Sequence, residues 1–251
     1  MTGWSLSGSP STGLYAVMEF TLSRRERERM LRRQAMLEAA RAVFAEKGFA
    51  NATIEEVAHR AEFGKGTVYN YFEKKEDLLF AIIDELYDEI CVLIETSFAR
   101  GCDAGDPFRD TFRAFLEAFF GFFAERQDLF VIAMKEVQAL LFSDEHEKAA
   151  YLMQQSNRAV KALVTPLQHA IHAGHLKPLN PVSMAYTILG NLQGFQMHAC
   201  AAARMNPECR NHLPTPRDAA DFLCTILLDG LAAHPEPYHA NPAAARHETS
   251  L

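Results

Sequence analysis

No apolar run in this chain of 251 residues approaches the roughly 18 residues a membrane-spanning helix needs, and no secretory signal pattern is found. Cysteine is scarce: Cys91, Cys102, Cys200, Cys209 and Cys224 make an odd count of five, with no CxxC spacing. They read as reduced, mostly buried thiols in a cytosolic protein rather than as a redox or metal set. The chain also lacks G-x-S-x-G, a P-loop, G-x-G-x-x-G and HExxH; His146-Glu147 begins the last of these, but Ala150 ends it. His169, His172 and His175 have no nearby carboxylate or cysteine to complete a metal set. No catalytic residue, metal or cofactor is therefore expected. Strand-like alternation and internal repeats are missing too, which leaves helices.

What is present is 49% hydrophobic and 10% aromatic, enough for a sizeable core. The net charge of −7 argues against a uniformly nucleic-acid-coating protein, but the charge is uneven. Residues 21–75 hold twelve Lys/Arg against eight Asp/Glu, a balance of +4 that leaves −11 elsewhere. A basic module on an acidic body suits local binding to a polyanion. A merely solvated charged helix would explain residues 24–33, though not the asymmetry.

The periodicity predicts an all-α chain. Residues 1–22 read as a loose extension, with Met18 a plausible start, and 235–251 as a Pro-containing tail. The first helix is expected from about Ser23 to Lys47, with Met30, Leu37, Ala40 and Phe44 inward and Gly48 as its stop. Another should run from after Lys75 to about Arg100. Later starts are marked by a capping residue before proline at Asp106-Pro107, Asn180-Pro181 and Thr215-Pro216, and Ser143 is expected to cap one more. The expected domains are 23–75 and 76–234.

Residues 53–72, TIEEVAHRAEFGKGTVYNYF, carry the most information. Thr53 and Glu56 have the spacing of a capping box, and Ile54, Val57, Ala58 and Ala61 form one apolar stripe. Glu62-Phe63-Gly64 breaks it, and a second helix should start near Lys65. At about 100° per residue, Val68 and Phe72 share one face, opposite Gly66, Thr67 and Asn70 with Tyr69 and Tyr71 at the flanks. A helix entering the major groove needs such an arrangement: an apolar anchor behind and hydrogen-bonding side chains in front. A helical hairpin with a wet polar face is the plainer alternative; two tyrosines on a solvent face speak against it. Lys65 before the second helix and Lys74-Lys75 after it are placed to neutralise phosphates on either side.

These residues resemble the DNA-binding domain of the TetR family of bacterial transcriptional regulators. The matching positions are Thr53, Val57-Ala58, Ala61, Gly66-Thr67, Tyr69, Tyr71-Phe72, Lys75-Glu76 and Leu78. Three departures lie together in the turn, where Glu62, Phe63 and Gly64 stand in place of the family's usual Gly, Val and Ser. The resemblance implies a helix-turn-helix head on a helical ligand-binding and dimerisation domain. Thr53, Lys65, Gly66, Thr67, Tyr69, Asn70, Tyr71 and Lys75 are then the expected DNA-binding residues. It implies a homodimer, paired through helices at about 181–204 and 216–233, on a palindromic operator in double-stranded DNA.

In the body, Phe108, Phe112, Phe115, Phe119, Phe122 and Phe123 recur at helical spacing, joined by Phe120, Phe130, Met134 and Phe142. Each could be ordinary core. Taken together, so many aromatic and Met side chains favour a cavity for a small hydrophobic effector, and the expected lining is Phe112, Phe115, Phe119, Phe123, Met134, Met153 and Phe195. The expected function is a ligand-responsive regulator, a repressor released by its effector; the alternative reading is an all-α ligand-binding protein or enzyme without sequence-specific DNA binding.

Overall fold

A computed structural model describes residues 23–141, 144–205 and 214–229, and every regular element among them is helical. In chain order these are α1 Arg24–Lys47, α2 Ile54–Arg60, α3 Lys65–Tyr69, α4 Lys75–Ala104, α5 Phe108–Ala124, α6 Gln127–Leu141, α7 His146–His172, α8 Pro181–Met205 and α9 Pro216–Asp229. The described chain forms two compact units that divide between Glu89 and Ile90, inside α4. The expected extension 1–22, the tail 235–251, the Ser143 cap, Phe142 and Cys209 lie outside the described residues.

In the first unit α1 is fixed at both ends by its own sequence. Ser23 Oγ accepts from the Glu26 N–H while Glu26 returns to the Ser23 N–H at 2.8 Å, and Gly48, with φ of 76°, donates back to the Phe44 carbonyl. Leu37, Ala40 and Phe44 are buried as expected, and Met36, Ala39 and Val43 join them. Met30 is a correction: it is 38% exposed, because the first turns of α1 extend past the apolar elements that cover the rest of the helix. Arg33 and Arg41 both pair with Glu85 of α4. Burial pushes the Glu85 carboxyl up from its usual range against the opposing pull of Arg41 and Arg33.

In the second unit α5 packs on α9, α7 on α8, and α6 on α7. The aromatic residues of α5 form a ladder of ring contacts: Phe112–Phe115 at 6.2 Å, Phe115–Phe119 at 6.3 Å, Phe119–Phe123 at 4.8 Å and Phe123–Phe130 at 4.8 Å between centroids. Phe112, Phe115, Phe119 and Phe123 are buried. Three of the four, Phe115, Phe119 and Phe123, fill space against one another and line none of the large cavities of this unit. Met153 is 46% exposed. Those four expected pocket residues are corrected to core and surface. The three others line separate hollows: Phe112 beside Leu167 and Ile188, Met134 beside Gln193 and Met197, and Phe195 beside Phe222.

Three helices end on the same hydrogen-bond pattern. After α4, Gly105 (φ 70°) donates to Cys102 and Asp106 to Gly101; after α7, Gly174 (φ 76°) donates to Ile171 and His175 to Ala170. The third is α2. The cap of α5 falls one residue later than expected, at Pro107, without a side-chain hydrogen bond, while the Asp106 N–H is spent on ending α4. Asn180 and Thr215 do cap: Asn180 Oδ1 accepts from Ser183 N at 2.9 Å, and Thr215 Oγ1 from Asp218 N at 3.2 Å. Pro166 lies inside α7, and no described helix is long and apolar enough to cross a membrane.

Candidate nucleic-acid interface and effector cavity

The expected capping box of α2 is present, with Thr53 Oγ1 accepting from Glu56 N at 3.3 Å and Glu56 Oε2 accepting from Thr53 N at 3.1 Å. At the other end Glu62 N donates to the His59 carbonyl and Phe63 N to that of Ala58. This is the turn that glycine makes after α4 and α7, here with glutamate at φ 57°, the one non-glycine with positive φ among the described residues. The unusual side chain costs about 1 kcal/mol of backbone strain, yet the turn geometry survives. Gly64 then caps α3 without a side-chain hydrogen bond.

α3 is pinned from behind by Val68 and Phe72, both buried. Its other face is open: Tyr69 is 40% exposed, Asn70 and Gly66 are exposed, and Thr67 and Tyr71 are half-buried. A Cβ added at Gly66 would meet nothing within 4 Å. No packing within the unit asks for glycine there, although glycine weakens a helix by about 1 kcal/mol relative to alanine. Close approach of an outside body would. Lys65 pairs with Glu55 and lies 5.6 Å from the Tyr69 ring, and Arg29 lies 5.9 Å from the Tyr71 ring. The Lys65 ammonium holds the Glu55 carboxyl below its ordinary range, and Glu55 raises Lys65 in return. Both are exposed, so a phosphate can replace the carboxylate.

Lys75 is placed differently from expectation. Its ammonium donates to the carbonyls of Phe49 (2.7 Å), Ala50 (3.1 Å) and Ala52 (3.0 Å) and lies 4.6 Å from the Phe49 ring. All three donors are used, so the residue ties down the α1–α2 loop and has none left for a phosphate. Thr53 spends its oxygen on the α2 cap but keeps an O–H to donate.

A second candidate site lies in the other unit. A cavity of about 850 Å³ between α4 and α7 is lined by Phe98, Phe108, Thr111, Pro166 and His175, with Glu95, Asp106, Arg158, Lys161 and His169 among its polar groups. Phe98 and Phe108 stack at 6.3 Å, and His175 stacks on Phe108 at 6.4 Å. The aromatic spacing along α5 did not reveal this site. The signal was in α7, where Arg158, Lys161, Thr165 and His169 recur on one helical face. His172 turns away, its Nδ1 2.8 Å from the Gln168 carbonyl.

Residues 36–82 match the family described as bacterial regulatory proteins, tetR family. The chain is 28% identical over 133 residues to the uncharacterized HTH-type transcriptional regulator YuxN of Bacillus subtilis, a match covering 53% of this chain and 42% of that one. It thus spans under half of that relative. It is 27% identical over 164 residues to the HTH-type transcriptional repressor KstR2 of Mycobacterium tuberculosis, covering 63% of this chain and 76% of the relative. In fold it is similar to the regulator FadR of Bacillus subtilis, solved in complex with stearoyl-CoA. There the TM-score is 0.65 at 18% identity, over 79% of this chain and 99% of that one.

Proposed function

We propose that the chain, whose residues 36–82 match the tetR family, is a TetR-type transcriptional regulator rather than an enzyme, and acts as a homodimeric, effector-released repressor of the cytoplasm. The observation that carries this reading is α3: a short helix held from behind by Val68 and Phe72, presenting Gly66, Thr67, Tyr69 and Asn70 outward beside Lys65. Thr67, Tyr69, Asn70 and Tyr71 read bases, while Lys65 and the Thr53 hydroxyl hold phosphates. Sequencing duplexes captured from a random pool by the purified chain tests it. With that operator, Asn70→Ala should cost about 1–3 kcal/mol at one base position and relax choice there. A uniform loss across all sequences would overturn the assignment.

The effector belongs in the α4–α7 cavity, and its chemistry is apolar, acyl or aromatic, with a polar or anionic end near Arg158 and Lys161. The stearoyl-CoA bound to the similar FadR fold supports that class. Effector binding shifts the population away from the DNA-competent state, for which a coupling of about 1–3 kcal/mol is typical. An acyl series that raises the melting temperature without releasing operator would count against this link.

Dimerisation through α8 and α9 is supported by a groove between them, lined by Gly190, Gly194, Phe195 and Ile226, with Tyr186 and the 55%-exposed Phe222 on its walls. Phe222→Glu should convert the dimer to monomer in light scattering and weaken operator binding at least a hundredfold, since each head then binds alone. A variant that stays dimeric would move the interface elsewhere.

A further inference from the structure

α1 begins twelve residues before the family match at residue 36, an overhang of about 18 Å. Within it Arg24, Arg25, Arg27, Arg29, Arg32 and Arg33 stand against Glu26 and Glu28 alone. Residues 23–32 are all exposed. Arg24 is paired with Glu28 and Arg33 with Glu85, whereas Arg25, Arg27 and Arg32 have no acidic partner among the described residues. Leu31 and Met30 are the only large apolar side chains of this stretch, too little for a packed contact.

The direction of these charges is informative. Arg25, Arg29 and Arg32 fall within about 60° on the helical wheel, on the face that buries Met36, Ala39 and Val43 further along. The core-facing side of α1 therefore continues beyond the edge of the unit as an arginine face. It continues on the side of α3, because Arg29 lies against Tyr71, the neighbour of Asn70. Like charges one turn apart weaken an isolated helix, so the cluster suits a polyanion beside it. A duplex carries one charge per about 1.7 Å of axis, so the roughly 10 Å from Arg25 to Arg32 spans several phosphates.

We propose that the arginine face of the α1 overhang is a second DNA-contact element, holding backbone phosphates beside the groove that α3 reads. The proposal rests on the DNA-binding reading above and extends it to residues outside the helix-turn-helix. These contacts supply affinity and salt dependence without base preference.

The test uses the full chain and the duplex recovered by selection, with its flanking base pairs kept. Affinity is measured against salt for the wild type, for Arg25→Gln/Arg29→Gln/Arg32→Gln, and for the same triple change to Lys. The Gln variant should flatten the log–log salt slope by about two to three per head and weaken binding at least tenfold near physiological salt, with base preference intact. The Lys variant should keep the slope. An unchanged slope in the Gln variant, or equal losses in both variants, overturns the proposal. Asn70→Ala in parallel separates the two readings. If base preference proves independent of Asn70 while the slope still depends on the arginines, the α3 assignment fails and the overhang contact stands.

Discussion

Alanine at Gly101 should destabilise the second unit by about 2–4 kcal/mol, although alanine is the better helix former by about 1 kcal/mol. A Cβ at this position of α4 would lie 2.7 Å from the Cβ of Thr111 on α5 and closer still to its hydroxyl and methyl. Thr111 is buried, so it has nowhere to swing. The backbones would have to separate, opening space beside Phe98 and Phe108. The measurement is thermal or urea unfolding of Gly101→Ala, with Thr111→Gly and the double variant to close a cycle. Thr111→Gly removes all three obstructing atoms, so the double variant should be more stable than the two single losses predict, by about 2 kcal/mol. Simple additivity would mean that the helices are not in close contact here. Because Thr111 and Phe108 also line the α4–α7 cavity, effector affinity should fall in Gly101→Ala and recover in the double variant.

Lys75→Met is the second large effect. The methionine keeps the aliphatic stem while leaving the carbonyls of Phe49, Ala50 and Ala52 without their donor. Hydrogen bonds from a charged donor contribute about 1.5–3 kcal/mol each, but water reaches part of this loop, so the expected total is about 2–4 kcal/mol. Loss of the ammonium over the Phe49 ring adds to it. For a unit of this size that lowers the melting temperature by on the order of 10 °C. Hydrogen exchange should report faster exchange across residues 49–58, where the loop leads into the α2 cap. The DNA readout is the discriminating one. A positioning lysine leaves the salt slope of the folded protein unchanged, whereas a phosphate contact would flatten it by about one with stability intact.

The contrast between Lys75 and Lys65 marks where sequence reading stops. Both flank α3 and both look free to meet phosphate, but Lys75 is claimed by carbonyls 23–26 residues back along the chain. No local pattern encodes that return. The features that were legible are those set within one turn: the Thr53–Glu56 box, the caps at Asn180 and Thr215, and the anchoring of α3 by Val68 and Phe72. The phenylalanines of α5 show the intermediate case. Their spacing does announce a buried stripe. Whether neighbouring helices leave a hollow over that stripe depends on shape across three helices, and there they left mostly rings. Glu62 shows that a departure from pattern need not change structure, since the backbone hydrogen bonds that define the turn are all formed.

Pro166 has one more effect, on the polarity of the cavity wall it helps to form. Lacking an N–H, it cannot donate to the carbonyl four residues earlier, that of Ala162, and both residues line the space between α4 and α7. The helix thus withholds its usual donor from that carbonyl, on a wall that also carries Arg158, Lys161 and Thr165. That acceptor is main chain, so side-chain exchanges around it, at Thr165 or His169 for example, cannot delete it. Retuning the wall to greasier guests means changing the imino acid itself.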